Sequence, residues 1–189
     1  PGDLTAGEAD PAIPYNTARI SAEQVAAGGF DDLLLWSRDV LRFDGDVHLS
    51  TGRSLALHRG VLSAATADTR VLLSAPHVLL DGAVDIYQPE GTVYPGLSLG
   101  VFVPATANHG NLRVEADLID VRNRVWSGAW ASYQTSATVS RPFETAGFGA
   151  IDLVSRGDIR FGTGFLASGG NNITLEAAQI YPLTGATAV

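Results

Sequence analysis

Apolar and polar residues alternate along most of the chain, in short runs separated by glycine and polar residues. One motif recurs: two apolar residues spaced by one, a small residue two positions later, and a further apolar residue. A period of two is that of a β-strand with one buried face, and the runs are too short for helices. The pattern therefore predicts an all-β fold. The copies are Leu33/Leu35/Ser37/Val40, Val71/Leu73/Ala75/Val78, Leu112/Val114/Ala116/Ile119, Ile151/Leu153/Ser155/Ile159 and Ile173/Leu175/Ala177/Ile180, with Leu55/Leu57 and Val61 as a looser member.

The copies follow one another at intervals of about 20 or about 40 residues, which is the mark of a repeat architecture. A longer repeat aligns residues 29–43 with residues 147–161 without gaps, and seven of the fifteen positions are identical. A sandwich of hairpins is the alternative, but few strands are joined by tight turns such as Asp44-Gly45 and Asp81-Gly82. The spacing favours a right-handed parallel β-helix, a solenoid of stacked rungs. Six residues are predicted to point into one continuous core: Leu35, Leu57, Leu73, Val114, Leu153 and Leu175.

Two stretches interrupt the rhythm, residues 83–109 and residues 122–146. Each is about as long as one turn of the solenoid. Each is either a degenerate rung or a loop that leaves the solenoid. Residues 1–19 are predicted to be a linker or N-terminal extension, and residues 20–189 a β-helix segment. The chain begins at Pro1 and contains no methionine, so we expect it to be part of a longer protein.

A short helix is predicted just before the first strand. Ser21 and Gln24 have the spacing of a capping box, and Ile20 and Val25 that of a hydrophobic staple. The pair Gly28-Gly29 supplies a C-terminal stop.

Charge and composition narrow the function classes. The 189-residue chain has a net charge of −8, contains no cysteine, and carries 12 basic residues, all of them arginine. These arginines are scattered, whereas nucleic-acid binding needs a clustered basic face. No apolar run reaches the roughly 20 residues of a membrane span. Disulfides and thiolate metal sites are excluded because there is no cysteine.

Several segments resemble the filamentous haemagglutinin family of large exoproteins. They are Gly28-Gly29-Phe30-Asp31, Arg42-Phe43-Asp44-Gly45-Asp46, Leu73-Ser74-Ala75-Pro76-His77-Val78 and residues 172–185, of which Ala177-Ala178-Gln179-Ile180-Tyr181-Pro182 is the most specific. The resemblance covers residues 20–186. It implies a β-helical shaft, export through an outer-membrane secretion partner, and a secreted or cell-surface location. It also implies cell adhesion or contact-dependent competition, with a receptor or glycan on a host or neighbouring cell as partner.

Candidate catalytic and metal-binding residues are sparse. His48, His58, His77 and His109 are scattered without zinc-site spacing. Asp44-Gly45-Asp46 lacks the further ligands of a calcium loop and fits a turn better. The pairs Asp31-Asp32 and Asp117/Asp120 are the candidates for acid and base in a polysaccharide lyase or hydrolase. Because nothing distinguishes them from turn residues, we expect neither an enzyme nor a cofactor or metal.

Two further features bear on ligand binding. Trp36, Trp126 and Trp130 are candidates for a sugar-stacking platform, although Trp36 is expected to be partly buried and the other two to lie outside the regular rungs. Arg156-Gly157-Asp158 spells the tripeptide that integrins recognise, and it supports a third interpretation, a host-receptor binding module. The aligned repeat has Arg38-Asp39-Val40 at the same place, which favours a structural corner.

Overall fold

The computed structural model describes residues 18–82, 97–103, 108–135, 141–168 and 172–186. Most of these residues lie in β-strands, and one short helix, α1, spans Ala22–Gly28. The predicted all-β class is therefore confirmed. The strands are β1 (Asp32–Phe43), β2 (Asp46–Ser50), β3 (Ser54–Ala64), β4 (Arg70–Asp81), β5 (Leu97–Val103), β6 (Asn108–Ser127), β7 (Ala129–Thr135), β8 (Arg141–Thr145), β9 (Gly147–Ser168), β10 (Asn172–Glu176) and β11 (Gln179–Pro182).

Eight strands form one parallel sheet, in which long strands contribute successive segments to different stacks. We name the stacks A, B and C. Stack A sets Val47, Val71, Leu112, Ile151 and Ile173 side by side. Stack B does the same with Leu33, Leu55, Val78, Ile119, Ile159 and Ile180. Stack C joins Val40 to Val61, Leu62 to Ser127, and residues 123–127 to residues 164–168.

The inward residues of stacks A and B form a continuous apolar core. Leu57, Leu73, Val114 and Leu153 are buried in it, as their period-two pattern predicts. Leu35 and Leu175, from the edge strands β1 and β10, are half-buried and pack against the same core. All six predicted core residues thus face one interior, and the parallel pairing of the main sheet does not fit the alternative of a hairpin sandwich.

The gapless repeat does not describe the stacking correctly. It equates Leu33 with Ile151, but Leu33 pairs with Leu55 in stack B, whereas Ile151 belongs to stack A. The stack A position nearest to β1 is taken by Val47 of β2. Both stacks carry the same alternation of apolar and polar residues, so sequence similarity cannot distinguish a residue of one from a residue of the other.

The two irregular stretches contribute strands to a second, antiparallel sheet. In it β5 pairs with β7, and β7 with β8. Segments of both stretches thus leave the parallel ladder and pair with each other. Residues 108–109 and 122–127 are exceptions, because they belong to β6 within the parallel sheet.

Helix α1 covers the first edge of stack A. The Ser21 side chain accepts a hydrogen bond from the Gln24 backbone N–H, and Gly29 ends the helix in the left-handed conformation at φ 59°. Val25 is buried in the core, and the helix lies against β2. Ile20, the expected staple residue, is 62% exposed, so burial of Val25 comes from the sheet instead.

No helix among the described residues has the length and apolarity needed to cross a membrane. Most of the predicted extension, residues 1–17, lies outside the described residues.

Candidate functional site

Stack B has an outer face on which polar side chains from neighbouring strands contact one another. We define this outer face as the residues that alternate with the inward ones on β1, β3, β4, β6, β9 and β11. One row across it runs Trp36, His58, Asp81 and Arg122. A second row runs Leu34, Ala56, Leu79, Asp120, Arg160 and Tyr181. Strand spacing of about 4.8 Å brings residues that are 20 or 40 positions apart into contact.

Asp120 is the centre of the strongest cluster on the outer face. Its carboxylate accepts hydrogen bonds from Arg160 at 2.7 and 2.8 Å, and from Arg122 and His77 at 3.1 Å each. The Asp120 side chain points to the face of the sheet opposite the core. It is nevertheless completely buried, because the side chains of Arg160, Arg122 and His77 cover it. The cluster thus ties three neighbouring strands, β4, β6 and β9, together from outside.

Burial of the Asp120 carboxyl raises its pKa, but the hydrogen bonds from Arg160 and His77 and the charges of Arg160 and Arg122 outweigh burial. The net effect holds the pKa of Asp120 below its ordinary value. The same contact raises the pKa of Arg160. Asp120 is therefore ionised at neutral pH and has no proton to donate as a general acid.

A second carboxylate bridges strands in the next row. Asp81 accepts from His58 Nδ1 at 2.6 Å and from the Asn123 side-chain amide at 2.6 Å. Asn123 has a positive φ of 57°, a conformation that asparagine adopts more readily than most residues. In this conformation the Asn123 amide reaches across the sheet to Asp81 on β4. The contact lies where β6 passes from stack B to stack C.

The predicted acid and base pairs do not converge. Asp32 is held by Arg53 and by the Ser54 hydroxyl at 2.6 Å, and hydrogen bonds from Arg53 and then Ser54 lower the pKa of Asp32 to about 2. Asp117 contacts Arg156 instead of Asp120. Asp32, Asp117 and Asp120 thus each contact a different partner, and within the described residues neither predicted pair is brought together as an acid and a base.

The Arg156-Gly157-Asp158 tripeptide lies within β9, between β6 and the last two strands. Arg156 Nε contacts Asp117 Oδ1 at 2.6 Å, and Asp158 accepts from the Tyr181 hydroxyl at 2.9 Å. The hydrogen bond to Asp158 is also the main cause of a raised pKa of Tyr181. Both charged ends of the tripeptide therefore have intramolecular partners, although the Arg156 side chain is 82% exposed.

Gly157 sits at a register shift, where β9 has one more residue than β6. A Cβ at Gly157 would lie 2.6 Å from the Asp117 carbonyl oxygen, so only glycine fits without a backbone shift. The Ser155 hydroxyl donates to that same carbonyl at 2.8 Å and accepts from the Gly157 N–H at 3.2 Å. In the aligned repeat, β1 has a register shift between Ser37 and Val40, so the irregularity recurs without the tripeptide.

The tryptophans do not form one platform within the described residues. Trp36 is 57% exposed on the outer face, which corrects the expectation of partial burial. It alternates with the inward Leu33 and Leu35, and a period of two places it outside. Trp126 lies in stack C of the parallel ladder, half-buried with its ring 4.9 Å from Phe165, and not outside the rungs. The side chain of Trp130 lies outside the described part.

No group of three or more potential metal ligands occurs in the parts of the chain that the structure describes. His48 is exposed on β2, and His109 is half-buried on β6. Asp44 and Asp46 are exposed on either side of a turn at Gly45, whose φ is 71°. Asp46 and His48 share β2, whereas His109 lies on β6.

Sequence reasoning missed the role of Arg160, Arg122 and His77 around Asp120. The available signal was the doubled repeat: Asp120 and Arg160 are 40 positions apart and occupy equivalent places in successive copies. No protein-family model matches the chain, and neither the curated proteins nor the solved structures give a match.

Proposed function

We propose that residues 20–189 form a right-handed parallel β-helix that serves as a shaft segment of a secreted bacterial surface exoprotein. The observation that carries this proposal is the order of the stacks along the chain. After α1, β1 contributes segments to stacks B and C, and β2 contributes to stack A. Strand β3 then contributes to stacks B and C, and β4 to stacks A and B. After the first insertion β6 supplies A, B and C, β9 repeats that order, and β10 and β11 add A and B.

A chain that coils with three sides, here stacks A, B and C, passes through them in the same order in every turn. Each turn then stacks on the preceding one. Parallel crossovers are right-handed in nearly all known cases, which supports that hand. The intervals of about 40 residues are turns that carry the insertions leading into the antiparallel sheet. Insertions that leave one side of a solenoid without disturbing the stacks are typical of such arrays.

The surface chemistry supports a structural role. On the outer face the carboxylates of Asp32, Asp81, Asp120 and Asp158 each contact a side chain from a neighbouring strand. Such contacts tie one rung to the next. The resemblance to filamentous haemagglutinins adds adhesion or contact-dependent competition as the role of the whole protein, with an outer-membrane secretion partner.

An experiment on export tests this proposal. The chain is fused behind the secretion domain of a filamentous haemagglutinin-type exoprotein and expressed with its outer-membrane partner. We expect the chain to reach the cell surface and resist protease there, because a cysteine-free solenoid can be threaded unfolded and fold outside rung by rung. The matched control is Leu153→Asp, which should be exported but digested. Retention of the native fusion inside the cell, with the secretion domain alone exported, would contradict the proposal.

The alternative of a carbohydrate-active enzyme has less support. The lowered pKa values of Asp32 and Asp120 keep both carboxylates ionised, which suits neither as a proton donor. Turnover of a uronate or neutral polysaccharide that is abolished by one aspartate substitution would favour the enzyme. The receptor-module alternative rests on the tripeptide at residues 156–158, whose charged groups already have partners within the chain.

A further inference from the structure

Strand β10 begins with the tripeptide Asn172-Ile173-Thr174, which matches Asn-x-Ser/Thr, the acceptor sequence (sequon) for N-linked sugars. The chain has six asparagines, and only Asn172 lies in such a sequence. The fold explains the Arg156-Gly157-Asp158 tripeptide, because its charged groups have partners and the aligned repeat keeps its backbone irregularity. Neither explanation applies to residues 172–174.

The side chains of Asn172 and Thr174 lie together on the outer face of stack A. They alternate with Ile173, which takes the inward position beside the buried Ile151. Both are exposed, and the rise of an extended strand places their Cα atoms about 6.6 Å apart. Among the described residues neither side chain has a hydrogen-bond or ion-pair partner. The amide nitrogen of Asn172 is therefore accessible from solvent, with the Thr174 hydroxyl on the same side of the strand.

This exposure does not depend on where β10 lies in the ladder. Asn111 occupies on β6 the position that Asn172 has on β10, and Arg113 occupies that of Thr174. Strand β6 pairs with β4 on one side and β9 on the other, yet both of these side chains are exposed. A further strand beside β10 would therefore leave Asn172 and Thr174 accessible from outside.

The fold does not require these two residue types. The row that contains Asn172 has Ala150 on β9 and Arg70 on β4, and the row that contains Thr174 has Asp152 on β9. The inward rows of the same stack are apolar throughout, as packing between rungs demands. The stacking therefore gives no structural reason for an asparagine and a threonine at this spacing.

We propose that Asn172 is a site of N-linked glycosylation whose substrate is a sugar activated as a glycosyl diphosphate. The side-chain nitrogen of Asn172 forms a bond to the anomeric carbon of the sugar and gives up a proton. The bond between that carbon and the diphosphate oxygen breaks, and the diphosphate leaves with the electron pair. The Thr174 hydroxyl is the group by which a glycosyltransferase recognises the acceptor. This inference rests on the proposed function, because modified sequons lie on the surface of exported proteins.

Mass spectrometry of the full-length protein from the bacterium that produces it tests the proposal. Trypsin cuts after Arg160, and no lysine or arginine follows up to Val189, so a single peptide carries Asn172. We expect this peptide to carry a sugar, and fragmentation should assign the sugar to Asn172. A sugar already present on the intracellular precursor would identify a nucleotide-linked donor. A sugar found only on the exported protein would identify a lipid-linked donor.

Three variants made in the same bacterium define the acceptor. Thr174→Val removes the hydroxyl and should abolish the modification, whereas Thr174→Ser keeps the hydroxyl and should retain it. Asn111→Gln changes the equivalent exposed asparagine of β6, which lies outside any sequon, and should leave the sugar in place. An unmodified peptide from the native protein, or a sugar that survives Thr174→Val, would overturn the proposal. Export of the chain is measured separately, so a shaft without the sugar and a glycosylated chain that is not exported are distinguishable.

Discussion

Arg160 of β9 holds the buried carboxylate of Asp120 on β6 through two hydrogen bonds of 2.7 and 2.8 Å. The two residues are direct neighbours across the sheet although 40 positions separate them in the chain. This contact ties two successive copies of the repeat together from the outer face, while Ile119 and Ile159 join the same strands in the core. Register is thus specified on both faces of the sheet.

Asp120→Asn should destabilise the chain by about 2–3 kcal/mol, measured as the free energy of unfolding in urea. Breaking a buried ion pair usually costs about 3–5 kcal/mol, and the loss is smaller here because Arg160, Arg122 and His77 keep access to water. Arg113→Ala removes a 2.6 Å ion pair with Glu115 in which both side chains are nearly half exposed, so its cost should stay below about 1 kcal/mol. Equal losses in the two variants would refute the special role of Asp120.

The free energy of unfolding should fall as the pH is lowered from about 5 to about 2. In this range the aspartates of the unfolded chain, with an ordinary pKa of about 3.9, take up protons. The pKa of Asp120 is lowered in the folded state and that of Asp32 is lowered to about 2, so both favour folding when ionised. Their contribution is complete above the unfolded pKa and lost as the pH falls through the folded one. Melting temperatures across this range should change less in Asp120→Asn than in the native chain. Asp68→Asn, an exposed loop variant, should keep the native profile.

Leu153→Asp should destabilise the chain by several kcal/mol, because Leu153 is completely buried in the core and the substitution places a charge there without a partner. Leu34→Asp is the matched control. Leu34 is 63% exposed on the outer face, so the same substitution there should cost under about 1 kcal/mol. Chemical denaturation of both variants measures the difference. Comparable stability of the two would mean that the inward and outward faces are assigned wrongly.

Asp158→Glu should leave any attachment of the chain to integrin-bearing cells unchanged, since Asp158 already accepts a hydrogen bond from Tyr181 and lies within β9. Gly157→Ala should instead lower the melting temperature, because the added Cβ would meet the Asp117 carbonyl oxygen. Cell attachment and thermal unfolding are measured on the same preparations. Integrin-dependent attachment that disappears with Asp158→Glu would favour the receptor-binding module.

Much of the fold can be predicted from the sequence. The alternation of apolar and polar residues shows which side chains of a strand face inward, and the spacing of the motif copies shows the repeat. The period of two identified the inward residues, and the same period places Trp36 on the outside once Leu35 is assigned inward. The membership of Leu33 in stack B was not predictable, because both stacks have the same pattern. The burial of Asp120 depends on Arg160, and only the strand register brings these two side chains together.

Parallel stacking of successive rungs fixes the distance between equivalent residues along stack A. His48, Leu72, Arg113, Asp152 and Thr174 are consecutive neighbours across five strands. Because the chain lacks cysteine, His48→Cys with Thr174→Cys places two spin labels four strand spacings apart at exposed positions. Electron paramagnetic resonance should give a single distance of about 20 Å, four spacings of ~4.8 Å each. A distance beyond about 30 Å, or a broad distribution without a peak near 20 Å, would contradict the stacked parallel ladder.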